Sequence, residues 1–176
     1  MIKGGKIGIM EVIYIPELLK LPEQTYVIQV NECLTDLKTL TPVRGRLQVT
    51  HQGNYLEISA QAETIITLSC DRCLQQYNHR LTLDVSELIW LDELADQPDL
   101  GSLERETPLE ELVETLPPQG YFEPETWLYE QLCLAIPPRQ VCDENCPGIP
   151  ITDNGNTGLS DRRWQALEIL KGQLPG

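Results

Sequence analysis

LEISAQAETIITLSC, residues 56–70, places apolar side chains at alternate positions over most of its length. A period of two is typical of a β-strand that buries one face and exposes the other. A strand of this length is rarely flat, so we expect a bend or a bulge within it. The stretch ends at a cysteine, which is the first member of the Cys70-Asp-Arg-Cys73 pair.

Shorter segments on both sides show the same alternation. They comprise residues 26–30, 43–49 and 77–85, and the sequence HQGN at 51–54 suits a hairpin turn. Several such strands in succession predict an antiparallel β-sheet or a partly closed barrel. The fold class is therefore α+β, provided that helices follow the strands.

Two helices are predicted after the strands. The first begins at Pro124, which suits the first turn of a helix, and ends before the proline pair at 137–138. The second covers residues 160–171, where Ser160 or Asp161 can cap its start and Gly172 can terminate it. We therefore expect two C-terminal helices beside the sheet.

The chain is acidic, with 27 acidic and 13 basic residues and a net charge of −14. Residues 84–130 hold 14 of the acids and a single base, Arg105. Such a surface repels phosphate backbones, which argues against DNA and against broad nucleic-acid binding. Two interpretations stay open for this acidic strip, which includes a predicted acidic loop at about 92–110: a solvated surface that aids solubility, or a docking surface for a basic partner.

The length of the chain predicts its domain organisation, and its targeting signals predict its compartment. Its 176 residues fit one domain over residues 10–176, with residues 1–9 as an upstream extension. No apolar run approaches the roughly 20 residues that a membrane span needs, and no signal peptide is recognisable. Six cysteines without an export signal favour reduced thiols or metal ligands in a cytoplasmic protein.

The Cys70–Cys73 pair admits three interpretations. A redox dithiol would favour a helix N-terminus behind the first thiol, whereas a strand pattern follows here. A zinc site would combine this pair with Cys142 and Cys146, whose spacing is also suitable for thiolate ligands. The third interpretation is that all four are simply reduced cysteines.

The remaining chemistry-bearing residues offer little support for catalysis. Cys33 and Cys133 lie beside apolar patterning and are interpreted as semi-buried packing residues. No glycine-rich phosphate loop, metalloprotease motif or nucleophile elbow is present in the sequence. A thiol- or zinc-dependent enzyme is therefore an alternative that rests on the cysteines alone.

Four segments, in order, resemble the YceD family, also called large ribosomal RNA subunit accumulation proteins. They are LSCDRCL at 68–74, WLYEQLCLAIP at 127–137, CDENCPG at 142–148 and SDRRWQAL at 160–167. Many relatives carry a further Cys-x-x-Cys pair after the third segment, where this chain has no cysteine. The resemblance thus leaves four cysteines for any metal site, here a structural zinc site.

The resemblance implies a bacterial, non-enzymatic factor that supports synthesis, processing or stability of 23S ribosomal RNA. Its partner would be a ribosomal protein or a large-subunit precursor particle, and the alternative is a zinc-stabilised protein-interaction module with an indirect RNA link. Ribosomal RNA could still bind to a local basic patch on this protein. The candidate residues are Arg44, Arg46, Arg72, Arg80, Arg162 and Arg163. Arginines 44 and 46 share a strand face, which could equally be solvated.

Overall fold

The computed structural model describes residues 10–93, 95 and 114–150. Most of the described chain is β-structure, with short elements at both ends of the sheet. In chain order the elements are β1 (Ile13–Tyr14), α1 (Ile15–Leu18), a 3₁₀ turn (Pro22–Gln24), β2 (Thr25–Glu32), β3 (Val43–His51), β4 (Tyr55–Ser69), β5 (Gln76–Leu91), β6 (Thr115–Leu116), β7 (Tyr121–Phe122) and α2 (Pro124–Ala135).

Five strands form the main sheet, in the order β2-β3-β4-β5-β6. The first four are antiparallel neighbours, as the alternation predicted, whereas β6 runs parallel to β5. The sheet is open, because β2 and β6 lie at opposite edges and do not pair with each other. Of the two expected forms, an antiparallel sheet or a partly closed barrel, the barrel is therefore wrong. The sheet is open, and the parallel strand β6 makes it mixed.

The β4–β5 hairpin is the longest feature of the sheet. Its pairing runs from Tyr55 opposite Trp90 to Ser69 opposite Gln76 without a change of register. A bulge would shift the register by one residue, so this ladder contains no bulge, and of the expected bend or bulge only the bend stays a prediction. The gradual twist of neighbouring strands lets a long ladder curve without an inserted residue.

The predicted turn at 51–54 is confirmed. The backbone N–H of Gln52 donates to the carbonyl oxygen of Tyr55 at 2.9 Å, and the N–H of Gly53 donates to Nδ1 of His51 at 3.0 Å. Gly53 has φ +97°, a conformation that glycine adopts at little cost. The turn joins β3 to β4 and fixes their register.

The hydrophobic core lies on one face of the sheet, between the strands and α2. Leu56 and Ile58 of β4 and Leu128 and Leu132 of α2 are all fully buried. The side chains of Trp127 and Gln131 donate to one carboxylate oxygen of Glu87 on β5, at 2.6 and 2.9 Å. The helix predicted from Pro124 is thus confirmed, and it is held against β5 by packing and by hydrogen bonds.

Several predictions concern residues outside the described ranges. The final helix at 160–171, the extension at 1–9 and nearly all of the acidic loop at 92–110 belong to this group. The single domain over 10–176 likewise stays a prediction. Within the described ranges, no helix has the length and apolar character that crossing a membrane requires.

Candidate metal centre

Cys70 and Cys73 occupy a tight turn where β4 ends and β5 begins. The backbone N–H of Leu74 donates to the carbonyl oxygen of Cys70, and the N–H of Cys70 donates to that of Gln75, both at 2.9 Å. Leu74 has φ +61°, which reverses the chain directly after the second cysteine. The turn therefore presents both thiols on the same side of the hairpin end.

Cys142 and Cys146 lie in an irregular segment that follows α2. The N–H of Cys146 donates to the carbonyl oxygen of Asp143 at 3.0 Å, and the N–H of Asn145 donates to Oδ1 of Asp143 at 2.8 Å. A short aspartate side chain that accepts such a local hydrogen bond is typical of tight turns. This turn brings the second pair of thiols together.

Hydrogen bonds between the two turns hold the cysteine pairs side by side. The N–H of Asp71 donates to the carbonyl oxygen of Gln140, and the N–H of Gln140 donates back to Oδ2 of Asp71, both at 2.7 Å. Nη1 of Arg72 donates to the carbonyl oxygens of Glu144 and Cys146 at 3.1 and 3.0 Å. The side chains between the two cysteines of the first pair therefore dock the second pair.

The four sulfur atoms converge on one point. All lie within 4.8 Å of one another, with 3.8 Å between the sulfurs of Cys70 and Cys146 and 3.7 Å between those of Cys73 and Cys142. Sulfurs bonded tetrahedrally to one zinc ion at about 2.3 Å stand about 3.8 Å apart. A disulfide needs a separation of only about 2.05 Å, and all four cysteines are free. The cluster therefore has the dimensions of a four-thiolate metal site and could hold a metal ion.

The electrostatics of the cluster also favour a bound cation. Backbone hydrogen bonds from Cys142 and then Cys73 lower the pKa of the Cys70 thiol to about 6. Hydrogen bonds with the Cys146 and Cys70 thiols raise the pKa of Cys142 to about 12. One thiolate therefore suppresses ionisation of its neighbour, and a divalent cation is the charge that would let all four ionise together.

The cluster is shielded on its inner side. Cys70 and Cys146 are buried, Cys73 is half-buried and Cys142 is exposed. Semi-buried packing was expected for the two cysteines outside the cluster. Cys133 is half-buried, as expected, whereas Cys33, which follows the end of the edge strand β2, is exposed. The cluster thus uses four of the six cysteines of the chain.

The candidate arginines lie in different places. Arg44, Arg46 and Arg80 are exposed on the outer face of the sheet, the face opposite α2. Arg80 forms an ion pair with Glu63, and Nη2 of Arg46 donates to Oε1 of Gln48 at 3.1 Å. Arg72 belongs to the cysteine cluster instead, and residues 162 and 163 lie outside the described ranges.

Sequence reasoning missed the residues that join the two cysteine turns. Asp71 and Gln140 were not singled out, and Arg72 was considered only as an RNA contact. The one available signal was the position of Asp71 and Arg72 inside the first cysteine pair, where side chains commonly anchor the surroundings of a metal ligand. Their partners lie about 70 residues away, so no local pattern identifies them.

Fold and cluster together define an open-sheet protein with a four-cysteine centre that has the dimensions of a metal site. The chain belongs to the YceD family: the family described as large ribosomal RNA subunit accumulation protein YceD matches residues 58–171. That match covers more than half of the chain and includes most of β4, all of β5 and α2, and all four clustered cysteines. No curated protein and no solved structure matches this chain.

Proposed function

We propose that the protein supports accumulation of 23S ribosomal RNA by binding within the large-subunit assembly pathway, and that it catalyses no reaction. The observation that carries this proposal is the family match over residues 58–171. The partner is a ribosomal protein or a precursor particle of the large subunit. The cysteine cluster contributes by stabilising the fold that presents the binding surfaces.

Zinc is the metal that best suits the cluster. Soft thiolate ligands in a tetrahedral arrangement favour zinc or an iron–sulfur cluster over magnesium or calcium. A site with four protein ligands leaves no open coordination position for a substrate or an activated water, which is the pattern of structural zinc sites. The sulfur-to-sulfur distances of 3.7 and 3.8 Å suit a single ion at the centre. The metal would join the end of the β4–β5 hairpin to the segment after α2.

Replacement of Arg72 tests how the two turns are held around the metal. We expect Arg72→Gln to weaken zinc binding by about ten- to a hundredfold, because the variant loses the charged donors to the carbonyl oxygens of Glu144 and Cys146. The measurement is a competition titration against a chromophoric zinc chelator. Arg139→Gln is the matched control, because Arg139 is an exposed arginine close to the cluster in sequence that makes no such bonds among the described residues. Equal affinities for the two variants would contradict this role of Arg72.

We propose that the outer face of the sheet, where Arg44, Arg46 and Arg80 lie, makes the local RNA contact. The same face carries Glu57, Glu63 and Asp84. The charges on this face therefore balance, in contrast to the net charge of −14 for the whole chain. A balanced face permits contact with a short stretch of RNA, but it does not attract long phosphate backbones.

Removal of the gene from its host tests the proposed function. We expect lower levels of 23S ribosomal RNA and fewer large subunits relative to small subunits, both restored by the wild-type chain. The measurements are RNA quantification and sedimentation of ribosomal subunits. Normal RNA levels and a normal subunit profile in the deletion strain would refute the function.

A second candidate function is a protein-interaction module whose link to RNA is indirect. The acidic composition favours it, since an acidic surface attracts basic proteins rather than RNA. Affinity capture from extract, with and without nuclease, separates the two candidates. Ribosomal proteins that stay bound after nuclease treatment indicate the assembly role, whereas retained partners that are not ribosomal indicate a module whose link to RNA is indirect.

A further inference from the structure

A groove separates residues 10–12, which precede β1, from the start of α2, and it lies away from the cysteine cluster. Its volume is about 300 Å³, which is enough for one or two side chains of a bound peptide. Met10, Leu34, Pro124 and Tyr129 supply its apolar walls. Met10, Leu34 and Pro124 are buried, so the floor of the groove is part of the packed core and is fixed in shape.

Carboxylates surround the groove. Glu123 and Glu125 lie at the start of α2, where acidic side chains complement the helix dipole, and Glu123 accepts a hydrogen bond from Oγ1 of Thr126 at 2.9 Å. The helix does not account for Asp36 and Glu130, which are both exposed and line the same groove. Neither has a hydrogen-bond or ion-pair partner within the part of the chain that the structure describes.

Exposed apolar side chains extend this surface. Val12, on the groove wall, is 54% exposed, and Leu134 is 78% exposed. Leu134 follows Glu130 by one turn of α2, so the two side chains lie on the same side of the helix. A surface that combines free carboxylates with exposed apolar side chains fits a peptide that carries both basic and apolar residues.

The negative charges around the groove determine which kind of molecule can bind there. Four carboxylates repel the phosphates of RNA and the anionic surface of a membrane. A second copy of the chain is also disfavoured, because each copy carries a net charge of −14. A basic protein segment is the occupant whose charge and apolar content both match.

We propose that the groove between residues 10–12 and α2 binds an extended lysine- or arginine-rich segment of a partner protein, with one apolar side chain of that segment inserted between Met10, Leu34 and Tyr129. The proposal rests on the proposed function, and of the two partners named there it takes the ribosomal protein. The groove proposal adds to that function the surface of this chain to which the partner binds. The basic side chains pair with Asp36 and Glu130 at the rim, while the apolar side chain meets the walls.

Fluorescence anisotropy with the full chain tests the groove. The probe is a labelled peptide of lysines and serines around one central leucine. We expect Asp36→Asn/Glu130→Gln to weaken binding by about tenfold, because two complementary charges are lost at the contact. Glu17→Gln/Glu23→Gln, which removes the same charge from exposed positions outside the groove, is expected to change the affinity less than about twofold. Replacing the central leucine of the peptide by serine is expected to weaken binding by about tenfold, since serine buries far less apolar surface in the groove.

Three outcomes would overturn the groove as the docking site. Equal weakening by the two double variants would mean that only the overall charge attracts the peptide. No effect of the leucine-to-serine change would mean that nothing enters the groove. A large gain in affinity on Lys3→Glu/Lys6→Glu would mean that the N-terminal residues of this chain compete for the groove and are its occupant.

The same groove variant also separates this proposal from the proposed function. In the deletion strain, we expect Asp36→Asn/Glu130→Gln to restore 23S ribosomal RNA less well than Glu17→Gln/Glu23→Gln does. Full restoration by both variants, together with low RNA in the deletion strain itself, would reject the groove while leaving the proposed function intact. Normal RNA in the deletion strain would reject the proposed function, and the anisotropy result would then decide the groove alone.

Discussion

Replacing Cys70 and Cys146 together by serine is expected to abolish metal binding and to lower the thermal unfolding midpoint by about 10 °C. Both side chains are buried, and a serine hydroxyl is a poor substitute for a thiolate ligand. A ligand present at a thousand times its dissociation constant stabilises the folded state by about 4 kcal/mol. Each kcal/mol shifts the midpoint of a protein of this size by about 2–4 °C. Metal analysis and thermal denaturation measure the two effects.

Two controls separate metal loss from the substitution itself. Cys33→Ser/Cys133→Ser makes the same chemical change outside the cluster and should keep the full metal content. Addition of a strong chelator to the wild-type chain should lower its midpoint while leaving that of Cys70→Ser/Cys146→Ser unchanged. A wild-type chain that purifies without metal, and whose midpoint is insensitive to zinc and to chelator, would refute the zinc site.

The main strands could be predicted because the sheet has one buried and one exposed face. The alternation in residues 56–70 corresponds to β4, which spans Tyr55–Ser69, and its even-numbered side chains meet the core. The helix predicted from Pro124 spans Pro124–Ala135 for a similar reason, since proline suits the first turn and the apolar stripe faces β5. Local sequence was sufficient wherever burial imposed a regular period.

The edges of the fold could not be predicted in this way. β6 has only two residues, too few to show a period, and it depends on hydrogen bonds such as that from the N–H of Trp90 to the carbonyl oxygen of Glu114, at 3.0 Å. Alternation is also the same in an open sheet and in a barrel, so it left closure undecided. Contacts between distant parts of the chain determine both features.

The candidate metal centre could also be predicted only in part, because some of its features depend on contacts between distant residues. The spacing of each cysteine pair indicated two potential halves of a zinc site, and the structure brings all four sulfurs together. The spacing did not reveal how the halves are held, because Arg72 and its acceptor on Cys146 are 74 positions apart.

Replacing Gly45 by alanine is expected to lower the free energy of unfolding by about 3 kcal/mol. Gly45 is the third residue of β3 and lies directly opposite Ala62 of β4. A Cβ atom at this position would lie 2.6 Å from Cα of Ala62, and nearer still to the carbonyl oxygen of Gln61. β3 is paired with β2 on one side and with β4 on the other, so its backbone cannot move away without weakening a ladder. Urea denaturation followed by tryptophan fluorescence measures the loss.

Gly53→Ala provides the comparison that isolates the steric effect at Gly45. Nothing lies within 4 Å of a Cβ atom built on Gly53, but its φ of +97° disfavours any other residue. That conformational strain is expected to cost about 1–2 kcal/mol. The loss at Gly45 should be larger, because backbone atoms of a neighbouring strand must be displaced rather than one dihedral angle strained. A smaller loss at Gly45 than at Gly53 would mean that β3 and β4 can separate locally without loss of the core between the sheet and α2.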